Sequence, residues 1–214
     1  MTPRDRLRDA RLYVVCDARP QAFLEAVLRG GADLIQLRDK TLDDAGIVAA
    51  ARAFRAAANA HGALFVLNDR PDLVDACGAD GVHVGQDDAA PAQARAAVGP
   101  DRIVGRSTHA PDQAAAALAD PDVDYFAAGP VHATPTKLGR PAVGLEYVAH
   151  VAAGATEKPW FAIGGIDRDT IGDVVGHGAR RVVVVRAVTE AADPEAAARE
   201  LRAALEVPVG AAQP

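Results

Sequence analysis

Eight short runs of β-branched and other apolar residues alternate with Ala-rich stretches of helical period from one end of the 214-residue chain to the other. That alternation argues for βα units and a parallel sheet. The predicted strands are Leu12 to Cys16, Leu34 to Leu37, Leu64 to Leu67, Gly81 to Val84, Ile103 to Gly105, Tyr125 to Ala128, Trp160 to Ile163 and Arg181 to Val185. Their starts lie 17 to 35 residues apart, a spacing that suits a small barrel with loops of unequal length. Gly-Ala-Asp at Gly31 and again at Gly78, with Gly178, Ala179 and Arg180 later, reads as a repeated helix stop before a new strand. Eight units close naturally into a single (β/α)8 TIM barrel, one domain over 1–214, with 207–214 a frayed end. A doubly wound open sheet is the alternative, but no G-x-G-x-x-G follows the first strand.

Half the residues are hydrophobic and only 4% aromatic, so the core must be built mainly from Ala, Val, Leu and Ile. A net charge of −6 argues against sequence-independent nucleic-acid binding, which needs many cationic contacts to phosphates. Cys16 and Cys77 sit in apolar contexts without Cys-x-x-Cys or zinc-ligand spacing and read as reduced core residues, which suits the cytosol. Residues Met1 to Arg11 are charged, and no apolar run reaches the roughly 18 residues of a membrane helix. A soluble, cytoplasmic protein with no membrane or nucleic-acid partner is the expectation.

In a barrel, function collects on the loops after the strand C-termini. Gln36, Leu37, Arg38, Asp39 and Lys40 end the second strand in two cations, and strand alternation puts Gln36, Arg38 and Lys40 on one face. A buried cation face needs an anion. On residue type alone, an internal ion-pair network with Asp33 and Asp39 is favoured over a bound phosphate. Asn68 and Asp69 close the third strand, and Asp87 and Asp88 follow the fourth, so carboxylates from neighbouring strands can meet at the mouth. Such a pair suits Mg²⁺, which is held by one or two carboxylates together with substrate phosphates and waters. Asp69 alone, before Arg70 and Pro71, reads equally well as a helix N-cap.

Further along, Ala133 to Gly139 offers the hydroxyls of Thr134 and Thr136, the cation of Lys137 and several backbone amides, a set able to cradle an oxyanion or to form a polar surface loop. Gly164 and Gly165, with Val185 and Arg186, occupy the place where many such barrels bind phosphate through backbone amides. His83 reads as a hydrogen-bonded core residue, and His61, His150 and His177 as surface or helix-end residues. His109 and His132 lie near the expected mouth. No Ser-His-Asp order or nucleophile elbow supports covalent catalysis.

At Gln36 to Lys40, Val66 to Asp69, Gly81 to Asp88, Gly129 and Pro130 with Thr134 to Lys137, and Gly164 to Ile166, the chain resembles the thiamine phosphate synthase family. These elements span nearly the whole chain in order. The resemblance implies a (β/α)8 fold, Mg²⁺ dependence, and joining of hydroxymethylpyrimidine diphosphate to a thiazole phosphate with release of pyrophosphate. By position, Gln36, Arg38, Lys40, Asn68, Ser107 and Lys137 would bind the pyrimidine diphosphate, with Leu37 and Asp39 in the same segment. Asp69 and Asp88 would hold Mg²⁺. Thr134, Pro135, Thr136, Gly165, Val185 and Arg186 would bind the thiazole phosphate. Arg38, Lys40, Ser107 and Lys137 would be the catalytic set, acting on the departing diphosphate while a pyrimidine carbocation forms and the thiazole nitrogen attacks. Arg186 departs from the family, which often has Ser after the last strand's Val. A thiazole tautomerase of the same superfamily, and a noncatalytic thiamine-pathway binding protein, are the alternatives. The first lacks an identifiable proton shuttle here, and the second would be marked by loss of Asp69, Asp88 or Lys137. Assembly into a homo-oligomer is left open by the sequence.

Overall fold

A computed structural model of the chain describes residues 2–133, 141–154 and 157–206. Its strands are β1 (Leu12–Cys16), β2 (Leu34–Leu37), β3 (Leu64–Asn68), β4 (Gly81–Val84), β5 (Ile103–Thr108), β6 (Tyr125–Ala128), β7 (Trp160–Ile163) and β8 (Val182–Val184). All pair in parallel in chain order, and β8 closes onto β1. The expected single barrel is therefore the observed one, and the open sheet is excluded. A short helix, α1 (Pro3–Asp9), precedes the first strand. Helices then follow the strands as α2 (Gln21–Arg29), α3 (Asp44–His61), α4 (Val74–Cys77), α5 (Pro91–Val98), α6 (Pro111–Ala119), α7 (Gly144–Ala153), α8 (Ile171–Gly176), α9 (Arg186–Thr189) and α10 (Pro194–Ala204).

Three strands differ from expectation in their bounds. β3 takes in Asn68, and β8 is trimmed to Val182–Val184. β5 runs on to Thr108 because Arg106, Ser107 and Thr108 keep pairing with Phe126, Ala127 and Ala128 of β6, so Ser107 lies within a strand rather than just past one.

Every strand buries both faces, which is why the strands read as continuous apolar runs instead of alternating ones. Inward-facing Tyr13, Leu34, Leu64, Val66, Ile103, Tyr125, Phe161 and Val183 form one cluster inside the barrel. Their outward neighbours Val14, Ile35, Phe65, Val104, Phe126, Ala162 and Val182 belong to a second, larger cluster beneath the helices. Leu7 and Ala10 join the inner cluster from below, because α1 lies across the floor of the barrel. That helix starts with a capping box between Thr2 and Asp5 and has Pro3 at its first position.

The floor also explains the Gly-Ala-Asp repeats. Asp33, Asp80 and Asp124 stand immediately before β2, β4 and β6, and each accepts a backbone N–H from the strand before. The donors are Leu12 at 2.9 Å, Phe65 at 2.8 Å and Val104 at 2.8 Å, respectively. Each carboxylate is balanced by guanidinium groups, from Arg202 for Asp33, Arg6 and Arg55 for Asp80, and Arg4 and Arg95 for Asp124. Before β8 the pattern switches sign, and Arg181 donates instead to the carbonyls of Arg8 and Ala10. Cys16 and Cys77 are buried thiols without a disulfide, as expected. Among the described residues no helix is long and apolar enough to cross a membrane.

Candidate active site

The C-terminal ends of the strands surround a cavity of about 640 Å³, within the range of pockets that take small molecules. Gln36, Arg38, Lys40, Asn68, Asp69, Asp88, Ser107, Val185 and Arg186 all line it. Residues far apart in sequence thus converge on one mouth. Thr134, Pro135, Thr136 and Lys137 lie outside the described residues, as does the tail 207–214.

The shared buried face expected for Gln36, Arg38 and Lys40 does not form, because β2 ends at Leu37. Gln36 is the last inward residue of the strand and is buried. Arg38 extends the pairing by one more bond, its N–H donating to the Cys16 carbonyl at 2.8 Å. Lys40 stands at the rim with its side chain 62% exposed, and its Nζ lies 3.6 Å from Asp69 Oδ2. The internal network with Asp33 and Asp39 is likewise absent. Asp33 is engaged on the opposite end of the barrel. Asp39 braces the loop after β2, accepting from the N–H groups of Ala18, Thr41 and Leu42 and from the Thr41 hydroxyl. Those bonds, led by the Thr41 hydroxyl, hold its carboxyl below the usual range. Leu37 faces outward into the shell beneath the helices. Leu37 and Asp39 therefore shape the segment and do not line the cavity.

Asp69 is not a helix cap. Its backbone is left-handed (φ 59°), and a 3₁₀ turn, Pro71–Leu73, begins only after Arg70. The left-handed step turns its carboxylate back over the mouth, where Asn68 Nδ2 donates to Oδ2 at 2.5 Å. Burial pushes the Asp69 carboxyl above the ordinary range, and Asp88, within hydrogen-bond contact, pushes it further; Lys40 and Asn68 pull the other way. Two carboxyl groups from adjacent strands thus face each other, a like-charge contact that a cation relieves. Asp88 is set by the turn after β4, where its Oδ2 accepts the Gly85 N–H at 2.8 Å. Asp87 also lines the cavity.

Arg106, which holds this loop, had not been singled out from the sequence. Arg106 points outward from β5, and its guanidinium donates to the carbonyls of Gly85 at 2.7 Å and Ala89 at 3.3 Å. Gln86 Nε2 donates to the Ser107 carbonyl at 2.6 Å. An arginine inside an otherwise apolar strand was the available signal. His83 is hydrogen-bonded and buried, as expected, and its Nε2 lies 2.9 Å from Ser107 Oγ. His109 also lines the mouth, with Nδ1 on the Gly129 carbonyl.

A second cavity of about 290 Å³ adjoins the first and shares Val185 and Arg186 with it. Gly164 and Gly165 line this one. Both have positive φ (106° and 64°), and a Cβ would come within 2.5 Å of Pro130 from Gly164 and 2.7 Å of His132 from Gly165. The segment after β6 is hydrogen-bonded along this turn, with Val131 N donating to the Ile163 carbonyl and His132 N to that of Gly164. Both glycines are therefore needed for close backbone approach.

The chain is 53% identical over 206 residues to a thiamine-phosphate synthase of Thermobifida fusca, covering 94% of each chain. It is 50% identical over 204 residues to the Streptomyces avermitilis protein of that name, covering 93% of this chain and 95% of the other. Among solved structures, a thiamine phosphate pyrophosphorylase from Pyrococcus furiosus superposes with a TM-score of 0.83 at 31% identity, over 95% of this chain and 97% of that one. A 3-hexulose-6-phosphate synthase superposes with a TM-score of 0.64 at 24% identity, over 91% and 99% of the two chains, and shares the barrel fold. The family model described as thiamine monophosphate synthase matches residues 12–188, from the first strand through the last and into α9. A match that runs from Leu12 to Val188 leaves no strand of the barrel outside it, and the chain belongs to the thiamine monophosphate synthase family.

Proposed function

We propose that this protein is a thiamine phosphate synthase, a transferase that moves the hydroxymethylpyrimidine group from its diphosphate to the nitrogen of a thiazole phosphate, with release of pyrophosphate and dependence on Mg²⁺. The observation that carries this reading is the facing pair Asp69 and Asp88 beside Lys40, Arg38 and Asn68, in a chain half identical to proteins of that name.

Asp69 and Asp88 are the residues that would hold the metal. Their donor set fits a hard cation, being carboxylate oxygens from adjacent strands that repel one another without one. Among the described residues no group of three or more His, Cys, Asp or Glu converges, so substrate oxygens would complete the coordination. Bound there, Mg²⁺ would offset charge on the departing diphosphate.

The chain's own residues account for the rest. Arg38 and Lys40 approach the same volume from the β2 end and would bind the diphosphate oxygens, as charge developing on the leaving group requires. Gln36 and Ser107, fixed inside β2 and β5, would hold the pyrimidine end. The adjoining cavity at Gly165, Val185 and Arg186 would seat the thiazole phosphate, bringing the ring nitrogen toward the carbon that loses diphosphate. Thr134, Pro135, Thr136 and Lys137 would complete the two sites. Reaction through a pyrimidine carbocation needs no protein nucleophile, in keeping with a mouth that has no Ser-His-Asp arrangement among the described residues.

Incubation with both phosphorylated substrates, with pyrophosphate followed in the presence of Mg²⁺ and in the presence of a chelator, tests the reading. Release is expected only with both substrates and the metal. Absence of product with Mg²⁺ present would refute it.

A further inference from the structure

Just below the mouth, five polar side chains from five strands meet inside the barrel. Gln36 donates through Nε2 to the Tyr13 hydroxyl. Tyr13 and Tyr125 hydroxyls lie 3.0 Å apart, Tyr125 OH lies 3.0 Å from His83 Nδ1, and His83 Nε2 lies 2.9 Å from Ser107 Oγ. None of the five is more than 8% exposed, and polar atoms so buried must be paired. Room for this chain is built in. A Cβ on Gly105 would press into the Tyr125 ring and lie 2.5 Å from its hydroxyl, so only glycine lets Tyr125 cross the barrel to reach His83.

The direction of the chain follows from counting protons. Burial pushes both phenols well above their ordinary range, so each keeps one proton to place. With Tyr13 accepting from Gln36, the acceptor in reach of its own hydrogen is the Tyr125 hydroxyl. Tyr125 in turn donates to His83 Nδ1. With Nδ1 accepting, Nε2 is the ring nitrogen placed to donate to Ser107 Oγ. Ser107 has accepted, and its own O–H is left to point into the cavity that it lines.

We propose that the chain Gln36–Tyr13–Tyr125–His83–Ser107 is a one-way donor relay that turns the Ser107 proton toward the substrate, with Tyr125 and His83 as positioning residues of the reaction. This rests on the reading of Ser107 as a substrate contact, but the relay itself has a readout that needs no substrate. Nitrogen-15 NMR of histidine-labelled, substrate-free protein near neutral pH reports the tautomer, with His83→Gln used to assign the signal. The expected result is Nε2 protonated and Nδ1 bare. Tyr125→Phe removes the donor to Nδ1 and should abolish that preference. It should also lower kcat for pyrophosphate release about tenfold while KM for the thiazole phosphate stays within about twofold. Tyr13→Phe keeps the Tyr125 to His83 bond and should leave the tautomer as in the wild type.

A wild-type His83 with its proton on Nδ1, or on both nitrogens, overturns the proposal. So does a Tyr125→Phe protein that keeps either the wild-type tautomer or the wild-type kcat. If Tyr125→Phe does not fold, the wild-type tautomer and Tyr13→Phe still decide. Failure of the synthase reading shows separately, as no pyrophosphate from the wild-type protein.

Discussion

Asp69 illustrates how one residue's backbone decides its role. Taken singly it is balanced between helix cap and metal ligand, since Asp before Arg-Pro suits either, and only the acids after the next strand tip it toward metal. Its φ of 59° settles the geometry by aiming the carboxylate back over the barrel mouth, toward Asp88 and away from the following turn. Asn tolerates the left-handed region nearly as well as Asp, so Asp69→Asn tests the charge without adding backbone strain. In metal-free buffer the substitution removes a like-charge contact, and a thermal melt is expected to give a Tm equal to or above that of the wild type. The same variant is expected to lose about a hundredfold or more in Mg²⁺-dependent pyrophosphate release. A Tm several degrees lower would mean that the carboxylate holds the fold together. Lys40 was legible as a site cation, but its rim position was not, because strand periodicity stops informing where a strand stops.

At the scale of elements, strand existence was written in the sequence more clearly than strand ends. An apolar run such as Leu12–Cys16 cannot sit anywhere but between two apolar layers, whereas Ser107 and Asn68 belong to strands only because a neighbour continues to pair with them. The Gly-Ala-Asp repeats were readable as boundaries, and their second purpose emerges from the closed sheet. Asp33 and Asp80 of the repeats, and Asp124 at the matching place before β6, tie β2, β4 and β6 to the start of the strand before each. Asp124→Ala would leave the Val104 N–H and two guanidinium groups without their acceptor, a loss of about 2–3 kcal/mol. For a domain of this size that corresponds to roughly 5–10 °C in Tm. Asp124→Asn keeps one acceptor and should lose about half as much. Because this residue lies at the opposite end from the mouth, turnover at 25 °C is expected to stay close to wild type in both variants. A large fall in turnover without a fall in Tm would contradict that separation of ends.

The whole molecule divides its work between a floor and a mouth. α1 closes the floor with Leu7 and Ala10, and Arg4 and Arg6 reach from it to the aspartates that precede β6 and β4. The family match begins at Leu12, beyond this helix, so the floor plug lies outside the matched barrel. Leu7→Ala should cost about 2–3 kcal/mol of stability through the cavity it leaves, measurable by denaturant unfolding. kcat should remain within about twofold, since Leu7 lies at the floor, the opposite end of the barrel from Asp69 and Asp88. The eightfold alternation of apolar runs and helical stretches was by itself sufficient to specify the barrel, because a parallel sheet buried on both faces has few other ways to close. The residue types for the mouth were also present in the chain in order, as Gln36, Arg38, Lys40, Asn68, Asp69, Asp88 and Ser107. That carboxylates after the third and fourth strands could meet was legible, but which other side chains touch was not, because contacts between strands depend on register and on where each strand ends. The pairing of Asp69 with Asp88, the outward clamp of Arg106 on the Gly85–Ala89 loop, and the line of hydroxyls from Tyr13 to Ser107 all arise from closure of the sheet, which brings side chains from different strands within hydrogen-bond reach.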